Sequence, residues 1–362
     1  MTNLGFSAKG VSVCVDLSVG ALCDFIVERE GRMLRPLHRA PWIDEPRESL
    51  PPDISPGLAR LSGDFLCAPF GLNDVDPAPG HGWPANAPWD IVSSDAIDGG
   101  WKVRLRLTRT VQGATVDKIL TIRDHHPFLY QQHIFAGGSG EVSVAHHPMA
   151  RMADGGRLSF SPKKFAATPP TSLEPDPARG KYLFAYPAQT DDLTRLPDSN
   201  GGAMDLTVYR AADRREDFVS LVEAEHGGPG WTALARNAER DLLLVLKNPI
   251  ELPITMLWFS NGGRDYAPWN GRHIGVLGIE DGRAYSGHAA SIGDNALKRQ
   301  GVPTSFVLNE AGEVSFRHVI GALPLGNGVA PPTRLDQSAT TLTAVFTDGK
   351  PIDVPFDGSY LA

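Results

Sequence analysis

The sequence predicts an all-β protein built as a large antiparallel β-sandwich, and three observations predict it. Apolar and polar residues alternate with a period of two over many short runs. Helical periodicity is scarce. The 38 glycines and 30 prolines are spread along the chain instead of gathering in one linker, so turns recur throughout and residues 1–362 read as one domain.

In chain order, the first strand signal comes after the loop "GHGWPANAP" and begins at "WDIV". Next, "WKVRLRLTRTV" sets Trp101, Val103, Leu105 and Leu107 against Lys102, Arg104, Arg106 and Thr108, a buried face against a solvated one. "GATVDKILTI" repeats the pattern after a turn at Gln112 and Gly113, which makes a hairpin. "DHHPF" marks a strand boundary or a turn, because the residue before a proline is held out of the helical region. Further strands are expected over "FLYQQHIFA", "EVSVAHHPM", "GRLSFSP", "MDLTVYRA", "DLLLVLKN", "ITMLWFSN", "EVSFRHVI" and "TTLTAVFTD". "DNALKRQG" is a possible helix, and "RREDFVSLVEAE" has a charged start and apolar spacing that allow a short helix or a loop. Residues 162–203, rich in proline and aspartate, read as a long surface excursion of the kind that helps wall a binding site.

Composition narrows the partners. The chain has 42 acidic against 34 basic residues, a net charge of -8, and no Lys/Arg run, which argues against nucleic acid or an anionic membrane and fits a neutral small ligand. Cys14, Cys23 and Cys67 lack C-x-x-C spacing, so neither a disulfide framework nor a thiolate zinc site is expected. Without an apolar signal core or ~18 uninterrupted apolar residues, the expected location is the cytoplasm. Nothing in the sequence specifies the oligomeric state.

His81 stands between two glycines, and Pro84 and Pro88 stiffen the residues after it. That suits either an ordinary turn or a histidine held in one position. His125, His126, His133, His146 and His147 raise the question of a metal. Adjacent strand residues point to opposite faces, so His146 and His147 cannot share an ion unless Pro148 breaks the strand, and no H-E-x-x-H spacing is present. No metal and no organic cofactor are therefore expected. Residues 257–288 gather Trp258, Tyr266 and Trp269 among Asn261, Arg264, Asp265, Asn270, Arg272 and Glu280. Aromatic rings cover the C–H faces of a pyranose, and planar amides, carboxylates and guanidiniums read its hydroxyls. The same composition also fits a solvated loop whose aromatics plug the core.

The order of "LSGDFLCAPFG", "HGWPANAPWDIV", "AHHPM" followed by "GGRLSFSP", and "WFSNGGRDYAPWNGRHIGVLGIED" resembles the aldose 1-epimerase, or galactose mutarotase-like, superfamily. In that family an early His-Gly opens a strand, a second histidine follows a small or amide residue, and a glutamate follows a late Gly-rich stretch. The resemblance implies a β-supersandwich with its site on a concave sheet face, and the matching positions are His81, His147 and Glu280. It implies a sugar mutarotase without cofactor: Glu280 takes the proton of the anomeric O1 hydroxyl, His147 protonates the ring oxygen O5, and His81 holds the opening ring. Trp258, Asn261, Arg264, Asp265, Trp269 and Asn270 would bind the sugar.

The chain departs from the family in two places. Pro148, Met149 and Ala150 stand where relatives carry aromatics, which leaves His146 or His147 as the site histidine. Trp83 to Asn86 stand where sugar-phosphate relatives carry an arginine, though Arg151, Arg264 or Arg272 could bind an anion and keep a hexose-phosphate epimerase open. A non-catalytic carbohydrate-binding or sensing domain is the alternative from another class, and a lyase or hydrolase using Asp265 and Tyr266 is a third.

Overall fold

The computed structural model describes residues 3–362, of which 48% are strand against 5% helix. Nine strands form one antiparallel sheet. Its middle is Asp241–Lys247, Phe306–Pro324, Phe128–Val142 and Thr115–Arg123, extended on one side by Gly100–Leu107 and Trp89–Ile97. A second, eight-stranded sheet centres on Arg215–Glu223, Ile254–Asn261 and Val276–Arg283, with Val144–His146 and Leu66–Cys67 beyond. Leu243, Leu129 and Ile320 of the first sheet meet Leu257, Leu277 and Ile279 of the second in one buried cluster, the core of the sandwich.

The expected hairpin is present: Gly100–Leu107 pairs with Thr115–Arg123, and Gln112 and Gly113 turn with φ of 47° and 83°. Both central residues at positive φ match the right-handed twist of the flanking strands. The back of the nine-stranded sheet carries Tyr130, Leu244 and Val319, which are covered by Leu342, Val354 and Phe356 of a small C-terminal sheet. The middle of the larger sheet is therefore covered on both faces, and its central strands carry apolar residues on both sides.

Two expected elements are corrected. Residues 214–225 form neither helix nor loop: Arg215–Glu223 is a strand, buried over eight of its nine residues, at the centre of the eight-stranded sheet. Its charged start is internal because Arg215 pairs with Asp217 and lies between the rings of Phe184 and Phe259. The segment "DNALKRQG" makes only a 3-10 turn at Lys298–Gln300. The Asn295 carboxamide oxygen accepts from the Leu297 and Lys298 amides, giving the backbone a turn in place of a helix.

Residues 162–203 largely follow the expected excursion, with short strands at Lys163–Ala167, Gln189–Thr190 and Leu196–Pro197. Asp217 anchors it by accepting from the amides of Leu183 and Phe184 and the Tyr186 hydroxyl. The thiols of Cys14 and Cys23 touch across a bulge in the N-terminal four-stranded sheet, a proximity their spacing did not suggest. Among the described residues, no helix is long and apolar enough to cross a membrane.

Candidate active site

Along Val276–Arg283, Leu277 and Ile279 enter the inter-sheet core, whereas Val276 joins a cluster on the opposite face. Strand alternation puts Glu280 on that outer face beside Trp258 and Met256 of the neighbouring strand. Gly278 makes room for it: a Cβ there would lie 2.8 Å from the Glu280 Oε1 and 3.1 Å from the Trp258 Cβ.

His147 reaches the same face by alternation, since Val144 lies in the inter-sheet core and Ala145 in the outer cluster, and the strand breaks just after His146, where Pro148 predicts. Val144–His146 ends, and pairing resumes at Met149–Arg151. In the gap the His147 amide donates to the Asp64 Oδ1 (2.9 Å) and the Phe65 carbonyl (3.0 Å). His146 and His147 thus face opposite sides of the sheet, and His147 is the one at the cavity. Its Nε2 lies 3.2 Å from the Glu280 Oε1. The Phe65 ring stacks on the imidazole at 4.5 Å, and Trp258 meets it edge-on at 5.6 Å.

His81 completes the group, its ring 5.4 Å from that of His147. Its φ is 63° and that of Gly82 is 71°. A Cβ on Gly82 would collide with the Ala68 carbonyl oxygen, so the second glycine is a steric requirement. The loop is clamped by Asn86, whose Nδ2 donates to the carbonyls of Gly80 (2.9 Å) and Gly82 (2.7 Å) while its Oδ1 accepts from Gly57 (2.9 Å). The Gly71 amide donates to the His81 Nδ1 at 3.4 Å, which leaves the proton on Nε2.

Burial acts on these groups in a consistent direction. It raises the Glu280 carboxyl well above the ordinary range and lowers His147 well below its own, with His81 adding to the latter. Loss of hydration, with a smaller contribution from Arg264, lowers His81 to about 4. Burial thus opposes the fully charged form of the Glu280–His147 pair.

These side chains open into a cavity of 490 Å³. Its walls come from the 55–61 segment, the His81 loop, residues 169–173 of the long excursion, and residues 285–287. Trp258, Arg264 and Trp269 line it as expected, with the indoles 6.1 Å apart at 85°. Asn261, Asp265 and Asn270 do not line it. Asn261 is used internally, donating to the Ala211 and Asp213 carbonyls and accepting from Gly275. Asp265 is exposed and pairs with Arg214, and Asn270 is an exposed turn residue with φ of 43°. Of the arginines considered for an anion, Arg264 lies 3.4 Å from Glu216, Arg272 pairs with Glu45, and Arg151 lies 3.9 Å from Glu239.

Sequence reasoning missed Glu216. This buried carboxylate sits behind Trp258, accepting from its indole N–H and from the Ser260 hydroxyl (3.0 Å). Alternation with Phe218 would have placed it on the site face had the segment been read as a strand.

No family model and no curated relative matches the chain. Solved structures do. A candidate aldose 1-epimerase from Klebsiella pneumoniae superposes with a TM-score of 0.60 at 14% identity, covering 89% of this chain and 79% of its own. For a candidate aldose 1-epimerase from Escherichia coli K12 the values are 0.58, 12%, 90% and 99%. A galactose mutarotase-like protein from Clostridium acetobutylicum gives 0.56, 12%, 89% and 95%. Together with the antiparallel, nearly all-β architecture, these likenesses establish that the chain has the galactose mutarotase-like fold, an antiparallel β-supersandwich.

Proposed function

We propose that the protein is a sugar mutarotase of the aldose 1-epimerase type, acting on a free, uncharged aldose. The observation that carries this reading is the contact between the Glu280 Oε1 and His147 Nε2, 3.2 Å apart at the cavity wall. Anomer exchange needs one group to take the O1 proton and another to give a proton to O5, so that the C1–O5 bond opens. Rotation about C1–C2 then presents the other carbonyl face, and the reverse transfers close the ring. Glu280 is the proposed base and His147 the proposed acid, roles that require the carboxylate–imidazolium form of the pair, which burial disfavours in the empty cavity and the hydroxyls of a bound sugar would stabilise. On closure Glu280 returns its proton to O1 and His147 takes one back from O5, so the pair is restored for the next turnover. His81, neutral with its proton on Nε2, offers a donor to the open-chain sugar. Trp258 and Trp269 offer apolar faces, and Arg264 offers donors to hydroxyls. Because Arg151, Arg264 and Arg272 each have a carboxylate nearby, the reading favours a neutral sugar over a sugar phosphate.

The test is polarimetry of freshly dissolved α-anomers across a panel of free aldoses. Wild type should accelerate the approach to equilibrium for at least one of them. Glu280→Gln should keep sugar binding and lower turnover by ~10²–10⁴-fold, because the amide preserves shape but cannot take a proton. Sugar binding without acceleration by wild type would leave the non-catalytic binding domain. Undiminished turnover in the Gln variant would remove Glu280 as the base.

A further inference from the structure

The opposite face of the same sheet carries a second cluster of ionisable groups, one residue along the chain from His147. His146 ends its strand pointing between the sheets, and His318 of the nine-stranded sheet lies beneath it, ring on ring at 4.2 Å and 16°. Asp64 completes the group from the segment before Leu66–Cys67. All three residues are fully buried, and their donor atoms lie within 4.8 Å of one another. His133 meets the His146 ring at 4.8 Å.

Both nitrogens of His146, both of His133 and the Nδ1 of His318 lack any hydrogen-bond partner among the described residues. An unsatisfied buried polar group forfeits its hydration without recompense, and such groups are rare in native interiors. The five belong to three rings, and since a neutral imidazole has one lone pair and one N–H, each ring brings one lone pair for which a metal ion would be the partner. The second interaction of each ligand fits such a partner. His318 turns its Nε2 toward the Asp281 Oδ2 at 3.2 Å, which fixes the proton there and leaves the Nδ1 lone pair for the cluster. Asp64 accepts from the Gln131 side chain (2.6 Å) and the His147 amide (2.9 Å), so its carboxylate is oriented from two sides. The ammonium of Lys118, in the same layer, donates to the Gly20 carbonyl and forms no ion pair with Asp64.

We infer that Asp64, His146 and His318 form a structural site for one divalent transition-metal ion of the zinc class, with His133 beside it as a further nitrogen donor. Imidazole with carboxylate suits zinc or cobalt(II) better than calcium or magnesium, which take oxygen. Bonds of about 2.0–2.1 Å require the three donors to draw together when the ion enters. Because the ligands are closed off from solvent, the ion loads as the chain folds and serves as a staple. It joins the two sheets through His146 and His318. Through Asp64 it also fixes the amide of His147, a positioning role for the cavity on the other face.

The experiment measures metal by mass spectrometry on full-length protein purified without a metal-affinity step, then repeats the measurement after unfolding in chelator and refolding with cobalt(II). One equivalent of ion, a visible ligand-field spectrum with cobalt, and a melting temperature several degrees above that of chelator-refolded protein are expected. His146→Ala and His318→Gln should each lose the ion. Metal-free wild type whose melting temperature is the same with zinc, cobalt or chelator overturns the proposal. So does full occupancy in both variants. If a variant fails to fold, the wild-type stoichiometry and spectrum decide. Metal content does not depend on turnover, so this proposal and the mutarotase reading fail separately.

Discussion

Trp258 and Trp269 stand at right angles in the cavity wall, and hydrogen bonding of the Trp258 indole to Glu216 holds that ring from behind. The chain has seven tryptophans, and these two line the cavity. A sugar that binds there should change the fluorescence, and Trp→Phe at one of the two positions should remove most of that change. An undiminished response in both single variants would place the sugar elsewhere. The residues legible in the sequence were those whose type is tied to the chemistry: two histidines, a glutamate, two indoles and an arginine. Asn261, Asp265 and Asn270 were chosen by composition, which carries no direction. Asn261 points into the backbone of its own neighbourhood, and the other two point to solvent. Glu216 escaped for the complementary reason, since a charge-rich segment start reads as surface until its partners are known.

At the scale of elements, the loop carrying His81 shows how a few residues turn a flexible stretch into a fixed support. Gly82→Ala should destabilise the protein by about 2 kcal/mol or more, since alanine would need a backbone region that favours glycine and would strike the Ala68 carbonyl. The same change should lower any mutarotase turnover by displacing His81. Thermal melting and polarimetry together check it, and an unshifted melting temperature would mean that the loop is not held as described. Solvated strands such as Gly100–Leu107 were legible from alternation, because one face meets water. Asp241–Lys247 and Ile254–Asn261, buried on both faces, were legible as apolar runs, whereas Arg215–Glu223 and Gly230–Arg236, equally buried, were not, because charged and small residues interrupt the run.

Across the whole molecule, burial of histidine couples stability to pH. His38 is 9% exposed, and burial lowers it from 6.5 to about 4. A histidine depressed in the folded state favours folding fully above its unfolded value. That contribution is lost as pH falls toward the folded value, because only the unfolded chain takes up the proton. Between pH 7.5 and pH 5 this amounts to about 2 kcal/mol for His38. Denaturant unfolding at the two pH values should therefore show a smaller difference in His38→Phe than in wild type. Other groups also make stability depend on pH, Glu216, whose carboxyl burial raises, in the opposite sense, and comparing the two proteins cancels them. An equal difference in both would mean that His38 is not depressed in the folded state.

The middle of the nine-stranded sheet pairs Phe128 with Gly321 and Val142 with Phe306. During synthesis, Phe128–Val142 emerges with one neighbour already made, Thr115–Arg123, and the other far downstream. At 5–20 residues per second the wait is on the order of ten seconds or more. Through that interval the bare edge of Phe128–Val142 presents unpaired amides and carbonyls, with Leu129 and Phe135 not yet covered. Such an edge pairs readily with another chain, so crowding on a polysome is a hazard this topology carries from birth.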